Sequence, residues 1–154
     1  MEKLSFDTGI REYDVNGNGM LRFNPSDPNV YARFFNAADE IQKIERELIA
    51  EASAPGAAGT APQDGAAAIR LAAEADRRVK AQLNAVFGAQ NDFDTLLGGV
   101  NLMAVAENGE RVVTNLFAAL TPIIEKGARQ CAQHSADRAV AQAKANRAAR
   151  GVAK

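Results

Sequence analysis

Residues 23–52 read FNPSDPNVYARFFNAADEIQKIERELIAEA, and this stretch decides the fold class. Val30, Phe34, Ala38, Ile41 and Leu48 recur at helical spacing, and Tyr31, Phe35, Ile44 and Ile49 widen the stripe. Apolar residues three and four apart share one face of an α-helix, so the run asks for burial along one side. Glu45 alone interrupts it. Ser26 or Asp27 can accept from the first free backbone N–H groups, and Pro28 suits the opening turn, where no N–H is needed. The pattern predicts a helix over 27–52.

Working outward, residues 1–25 predict a β-hairpin. Within 3–23, Leu4 and Phe6 alternate with polar neighbours, Ile10, Tyr13 and Val15 follow, and Met20, Leu21 and Phe23 come after the turn. That turn is Asn16-Gly17-Asn18-Gly19, residues that tolerate the positive φ of tight hairpin loops. A lone hairpin is marginal in water and must pack on something.

Downstream, periodicity lapses in the Ala/Gly/Pro-rich stretch from Ser53 to Ala68, read as a flexible insertion over 53–66. A helical core is predicted over 67–125. Its first helix carries Ile69, Ala72, Val79, Leu83 and Val86 on a thin apolar face and ends at Phe87-Gly88. Short helical turns follow around Gly98-Gly99. A last helix begins near Asn108 with a dense stripe of Val112, Val113, Leu116, Phe117, Leu120, Ile123 and Ile124. Pro122 should kink or divide it. Beyond Gln130 the stripe ends, and 126–154 reads as a basic helical tail of Ala, Arg, Lys and Gln. The expected fold is mainly α: one domain with an N-terminal β-hairpin, a helical body and a long C-terminal helix.

Hydrophobic residues make up 47% of the 154, but much of that is alanine, and there is no Trp. The core must therefore come from a few Leu, Ile, Val and Phe clusters, and lean cores often rely on a partner or on oligomerisation. Net charge is −1, which argues against a dedicated nucleic-acid binder. Charge is unevenly spread, however. Residues 1–125 carry 11 basic and 18 acidic side chains, whereas 126–154 carry 7 basic and 1 acidic. The tail reads first as a solvated helix kept soluble by its charge, second as a surface for an acidic protein or for the acidic half of another copy of the chain, and third as unpatterned charge for nucleic acid or an anionic membrane. It lacks the interleaved aromatics of a single-stranded nucleic-acid platform.

The lone Cys131 excludes an internal disulfide and, with one histidine, any Cys/His metal cluster. A reducing cytosol is the expected setting. The first residues, MEKLSFDTGIREY, have no basic region followed by an apolar run, and no apolar stretch reaches the ~18 residues that span a bilayer.

Candidate chemistry is sparse. Asp14-Val-Asn16-Gly-Asn18-Gly19 matches the first half of an EF-hand loop, but Pro25 stands where calcium needs a bidentate carboxylate, so a plain hairpin turn is preferred. His134 lies one residue from Ser135 and three from Cys131 on one helix, without a third orienting group, and reads as an exposed helical histidine. Asp92 and Asp94 suit capping. No phosphate-loop pattern occurs around Gly88, Gly98 or Gly99. Neither catalytic nor cofactor-binding nor metal-binding residues are expected.

Two passages carry a likeness. FDTGIREYDVNGNGMLRFNPSDPNVYARFF leads a hairpin through FNPSD into an amphipathic helix. FDTLLGGVNLMAVAENGERVVTNLFAALTPIIEKGARQ sets a Leu/Gly-rich turn before a helix ending in TPIIEK. Together, over about half the chain, they resemble the tail assembly chaperones of long-tailed bacteriophages and prophages. The resemblance implies a non-enzymatic helical protein of the host bacterial cytoplasm that coats the tape-measure protein, or other phage tail proteins, before the tail tube forms. The Ala/Gly/Pro insertion and the long Ala/Arg tail depart from the usual pattern and leave room for a structural subunit of the tail or connector. On the chaperone reading, Val30, Phe34, Ile41, Leu48, Leu116, Leu120, Arg129, Arg138 and Arg147 are the expected partner-binding residues, and neither a membrane nor a specific nucleic acid is an expected partner.

Overall fold

The structure, a computed structural model, describes residues 1–53 and 65–152. Two antiparallel strands, β1 (Arg11–Asp14) and β2 (Met20–Phe23), precede helix α1 (Pro28–Ser53), helix α2 (Gly65–Phe87), the single turn α3 (Phe93–Leu96) and helix α4 (Val112–Val152). The protein is mainly α, with an N-terminal hairpin and a long C-terminal helix. Residues 54–64, most of the expected insertion, lie outside the described residues, while its edges form the end of α1 and the start of α2.

The hairpin closes as its sequence asks. Asn16 and Gly17 take positive φ values of 53° and 77°, and Asn18 N–H donates back to Val15 O at 2.9 Å. Asp14 Oδ1 accepts from Gly17 N–H at 2.9 Å, so the carboxylate that matched a calcium loop serves the turn. Pairing runs only from Arg11↔Phe23 to Asp14↔Met20. The expected strand around Leu4 and Phe6 does not form. Beyond Phe23 the opposite chain runs into Pro25, which has no N–H to donate, so the ladder stops. Alternation along β2 turns Leu21 and Phe23 inward and leaves Met20 and Arg22 outside.

Asp27 caps α1, accepting from Asn29 N–H at 2.9 Å, with Pro28 in the first turn. Gly88, at φ 98°, ends α2 by donating to Asn84 O at 2.8 Å. Pro122 does not divide α4, which is one helix of 41 residues, about 60 Å long at 1.5 Å per residue.

Aromatic rings join these elements. Tyr13 stacks on Phe23 at 5.2 Å, Phe23 meets Phe87 edge-on at 4.9 Å, and Phe34 stacks on Phe117 at 4.9 Å. Phe87 also touches Phe34 and Phe93. The hairpin, α1, α2, α3 and α4 thus share one core, to which Leu83, Val79, Leu102, Val113 and Ile124 add fully buried aliphatic surface. Phe35 joins through Phe34 at 5.3 Å, which leaves Phe6, 73% exposed, as the one phenylalanine outside this aromatic network.

Two buried polar residues hold the irregular stretch between α2 and α4. Asn91 accepts from Arg22 N–H and donates to Arg22 O, both at 2.9 Å, and donates to Phe87 O at 2.7 Å. Its amide so occupies the outer edge of β2, where a third strand would otherwise be required. Lys80 pairs with Asp76 at 2.8 Å and with Asp94 at 2.7 Å, and Asp76 also accepts from Leu102 N–H at 2.7 Å. Burial works against the Lys80 charge, but the hydrogen bonds and proximity of Asp76 and Asp94 outweigh it, and its pKa lies above a lysine's ordinary 10.5. A raised folded pKa means that this contribution is intact below the ordinary lysine value and fades as pH climbs through the folded one. Lys80→Met should therefore cost about 2 kcal/mol at neutral pH in urea melts. The gap between variant and wild type should narrow only at strongly alkaline pH, and a gap that closed between pH 6 and 9 would contradict the assignment.

Candidate protein-binding surfaces

The expected partner-binding residues divide sharply. Val30, Phe34, Ile41 and Leu120 are 6% exposed or less and line the protein's own core, and Leu48 and Leu116 are half-buried against it. These apolar stripes face one another within the chain and are not presented outward, which corrects the expectation that they form an open docking face. Arg129, Arg138 and Arg147 are exposed on α4.

What remains open lies around the stripes. Helices α1 and α4 leave a groove of about 220 Å³ between them, lined by Ala38, Ile41, Gln42, Glu45, Val113, Thr114 and Phe117. Its floor is the outer edge of the core. Glu45, the residue that broke the α1 pattern, lines this groove half-buried, with a carboxylate beside an apolar slot.

The N-terminal segment is a second surface. Asn24 Nδ2 donates to Thr8 O at 2.9 Å, and Asp7 Oδ1 accepts from Gly9 N–H at 2.8 Å. Gly9 sits at φ 72° against the Asn24 side chain, a place with no room for a Cβ. The segment is thus pinned at residues 7–9, while Leu4, 89% exposed, and Phe6 project beyond the pin. Spaced two apart, they fall on the same side of an extended chain.

The third surface is the distal part of α4. Every described side chain from Ala132 to Gly151 is exposed. Hydrogen bonds there run within the arm itself, from Gln133 to Asp137 at 2.9 Å and from Gln142 to Asn146 at 3.1 Å. His134 and Ser135 are exposed on this arm, and Cys131, a free thiol, is half-buried at its root. No helix among the described residues is long and apolar enough to cross a membrane. Compared with family models, curated proteins and solved structures, the chain matches none.

Sequence periodicity could not reveal the groove, because Ala38, Gln42 and Thr114 become a rim only once α1 and α4 are placed side by side. The exposure of Leu4 and Phe6 had a faint local signal: their run ends in Asp7-Thr8-Gly9, turn residues that isolate it from the strand that follows.

Proposed function

We propose that this protein is a non-enzymatic binder of helical protein clients, a tail assembly chaperone that shields a tape-measure protein in the host bacterial cytoplasm. The observation that carries the reading is the α1/α4 groove: an apolar slot with a glutamate beside it, formed at the start of the helix that ends in the basic arm. Amphipathic helices are recognised by laying apolar anchors into such grooves, with charges matched along the rim. Leu4 and Phe6 add apolar contact, and Arg138, Lys144 and Arg147 offer positive charge to acidic stretches of the client. The resemblance of the hairpin–FNPSD–helix and TPIIEK passages to phage tail assembly chaperones supports a tape-measure protein as the client.

Co-expression with a tape-measure protein is the test. A soluble complex is expected. Gln42→Arg with Thr114→Arg, both at exposed positions on the groove, should abolish its recovery while leaving the thermal melt of the isolated protein unchanged. Phe6→Ala should weaken the complex, again with stability altered by less than about 0.5 kcal/mol, because the residue is 73% exposed in the isolated protein. Retention of the protein in purified particles would favour instead a structural subunit of the tail or connector, and failure to form a complex or to improve the client's solubility would count against the chaperone reading.

A further inference from the structure

We infer that the helix taken by the α1/α4 groove carries a basic residue, arginine before lysine, one turn from its apolar anchor, and that this cation pairs with Glu45. The inference rests on the groove being the client site, and it names the client's chemistry there. Glu45 is half-buried on the wall of an otherwise neutral slot, with Ile41 and Gln42 on its own helix and Val113, Thr114 and Phe117 on α4. Other carboxylates of α1 are answered within the chain, Glu40 by Lys43 at 2.9 Å and Glu47 by Arg78 at 2.8 Å. Among the described residues Glu45 has no ion pair. The sequence explains why. Side chains three and four apart share a helix face, and at those distances from Glu45 stand Ile41, Gln42, Leu48 and Ile49, none of them basic. Lys43 and Arg46 are nearer along the chain but diverge from it around the helix.

That carboxylate decides what can cover the groove. In the isolated protein, water reaches it from the open side. A wholly apolar helix laid over Ile41 and Phe117 would remove that water and leave the charge buried without a partner, a strongly unfavourable state. An acidic helix would add repulsion. A cation delivered beside the anchor turns the same burial into a pair, so Glu45 selects by penalising wrong helices as well as by attracting the right one. Arginine suits the place better than lysine, because its guanidinium is more weakly hydrated and forks onto a carboxylate. The dimensions agree. From Ala38 to Glu45 the α1 wall runs about 10 Å, two helical turns, with room for one anchor and for a cation at the next turn. The basic arm makes the opposite demand elsewhere: Ala132, where its exposed part begins, lies about 22 Å along α4 from Phe117. The client therefore bears its cation at the groove and its acids on a separate stretch.

Fluorescence anisotropy of three labelled helical peptides against the full-length protein tests the pairing. The peptides share one leucine stripe and carry arginine, glutamine or glutamate a turn from the central leucine. The arginine peptide should bind about tenfold more tightly than the glutamine peptide, and the glutamate peptide should bind most weakly. Glu45→Gln should erase the difference between arginine and glutamine. Glu45→Lys should reverse the order, so that glutamate binds best, a result that a merely structural role for the residue would not produce. Thermal melts of both variants check that the fold is kept. Equal binding of the three peptides by the wild type, binding of none, or an order that survives Glu45→Lys would overturn the inference. A tape-measure complex that forms and is indifferent to Glu45→Lys would overturn it too, while leaving the chaperone reading in place. The expected peptide order without any tape-measure complex would do the reverse, upholding the cation preference and removing the client.

Discussion

Phe34→Ala is expected to lower stability by about 3–5 kcal/mol, the range for removing a fully buried phenylalanine. Phe34 has no exposed surface, stacks on Phe117 at 4.9 Å, and meets Phe35 at 5.3 Å and Phe87 at 6.4 Å edge-on. Its ring is therefore the piece shared by α1, α2 and α4. Truncation leaves a void that none of the three helices can fill by a local shift, because each is also held elsewhere, α4 by Gly127 and α2 by Lys80. Small domains are stable by roughly 5–15 kcal/mol in total, so a loss of this size should bring the urea midpoint close to native conditions. A shift equivalent to less than about 1 kcal/mol would mean that the aromatic junction is not where the core is held together.

Gly127→Val should be comparably damaging for the opposite reason, too much volume. A Cβ built at Gly127 would overlap the carbonyl group of Pro25, a backbone contact that no rotamer change can relieve. Buried Gly127 is where α4 crosses the chain between β2 and α1, so any side chain there must lift the helix off the body or displace the residues that lead into the α1 cap. Overpacking in a fixed setting costs roughly 1–3 kcal/mol, and more when backbone must move. Gly127→Ala should already be destabilising, although alanine is the better helix former. Gly151→Ala is the internal control: nothing lies within 4 Å of its added methyl, and it should be neutral or slightly favourable. Equal melting curves for Gly127→Ala and Gly151→Ala would refute the close crossing.

Much of the architecture was legible in the residues themselves. Asn16-Gly17 specified the hairpin turn, Asp27-Pro28 the start of α1, and Phe87-Gly88 the end of α2, because each depends on chemistry within a few residues. The interior was less legible. Lys80 and Asn91 are polar, and polar residues within a periodic pattern read as solvent-facing. Asp76 and Phe87 supply a local partner to each, and the arrival of Asp94 from α3 and of Arg22 from β2 completes the pairing that permits burial. Leu4 and Phe6 showed strand-like alternation, yet alternation cannot supply the opposite strand that Pro25 withholds. The binding residues illustrate the general limit. Periodicity identified Val30, Phe34, Ile41 and Leu120 as surfaces needing cover, and it carried no information on whether that cover would be the same chain or another. The basic arm was readable from composition alone, since its lack of apolar residues already set it apart from the core.

The length of α4 has a hydrodynamic consequence. A folded globule of this chain length would have a radius of gyration of about 15 Å, whereas a single helix some 60 Å long sets the span of this molecule by itself. Its drag will exceed that of a sphere of equal mass. On a calibrated gel-filtration column even one copy will elute ahead of its true 16.3 kDa, and sedimentation will be correspondingly slow.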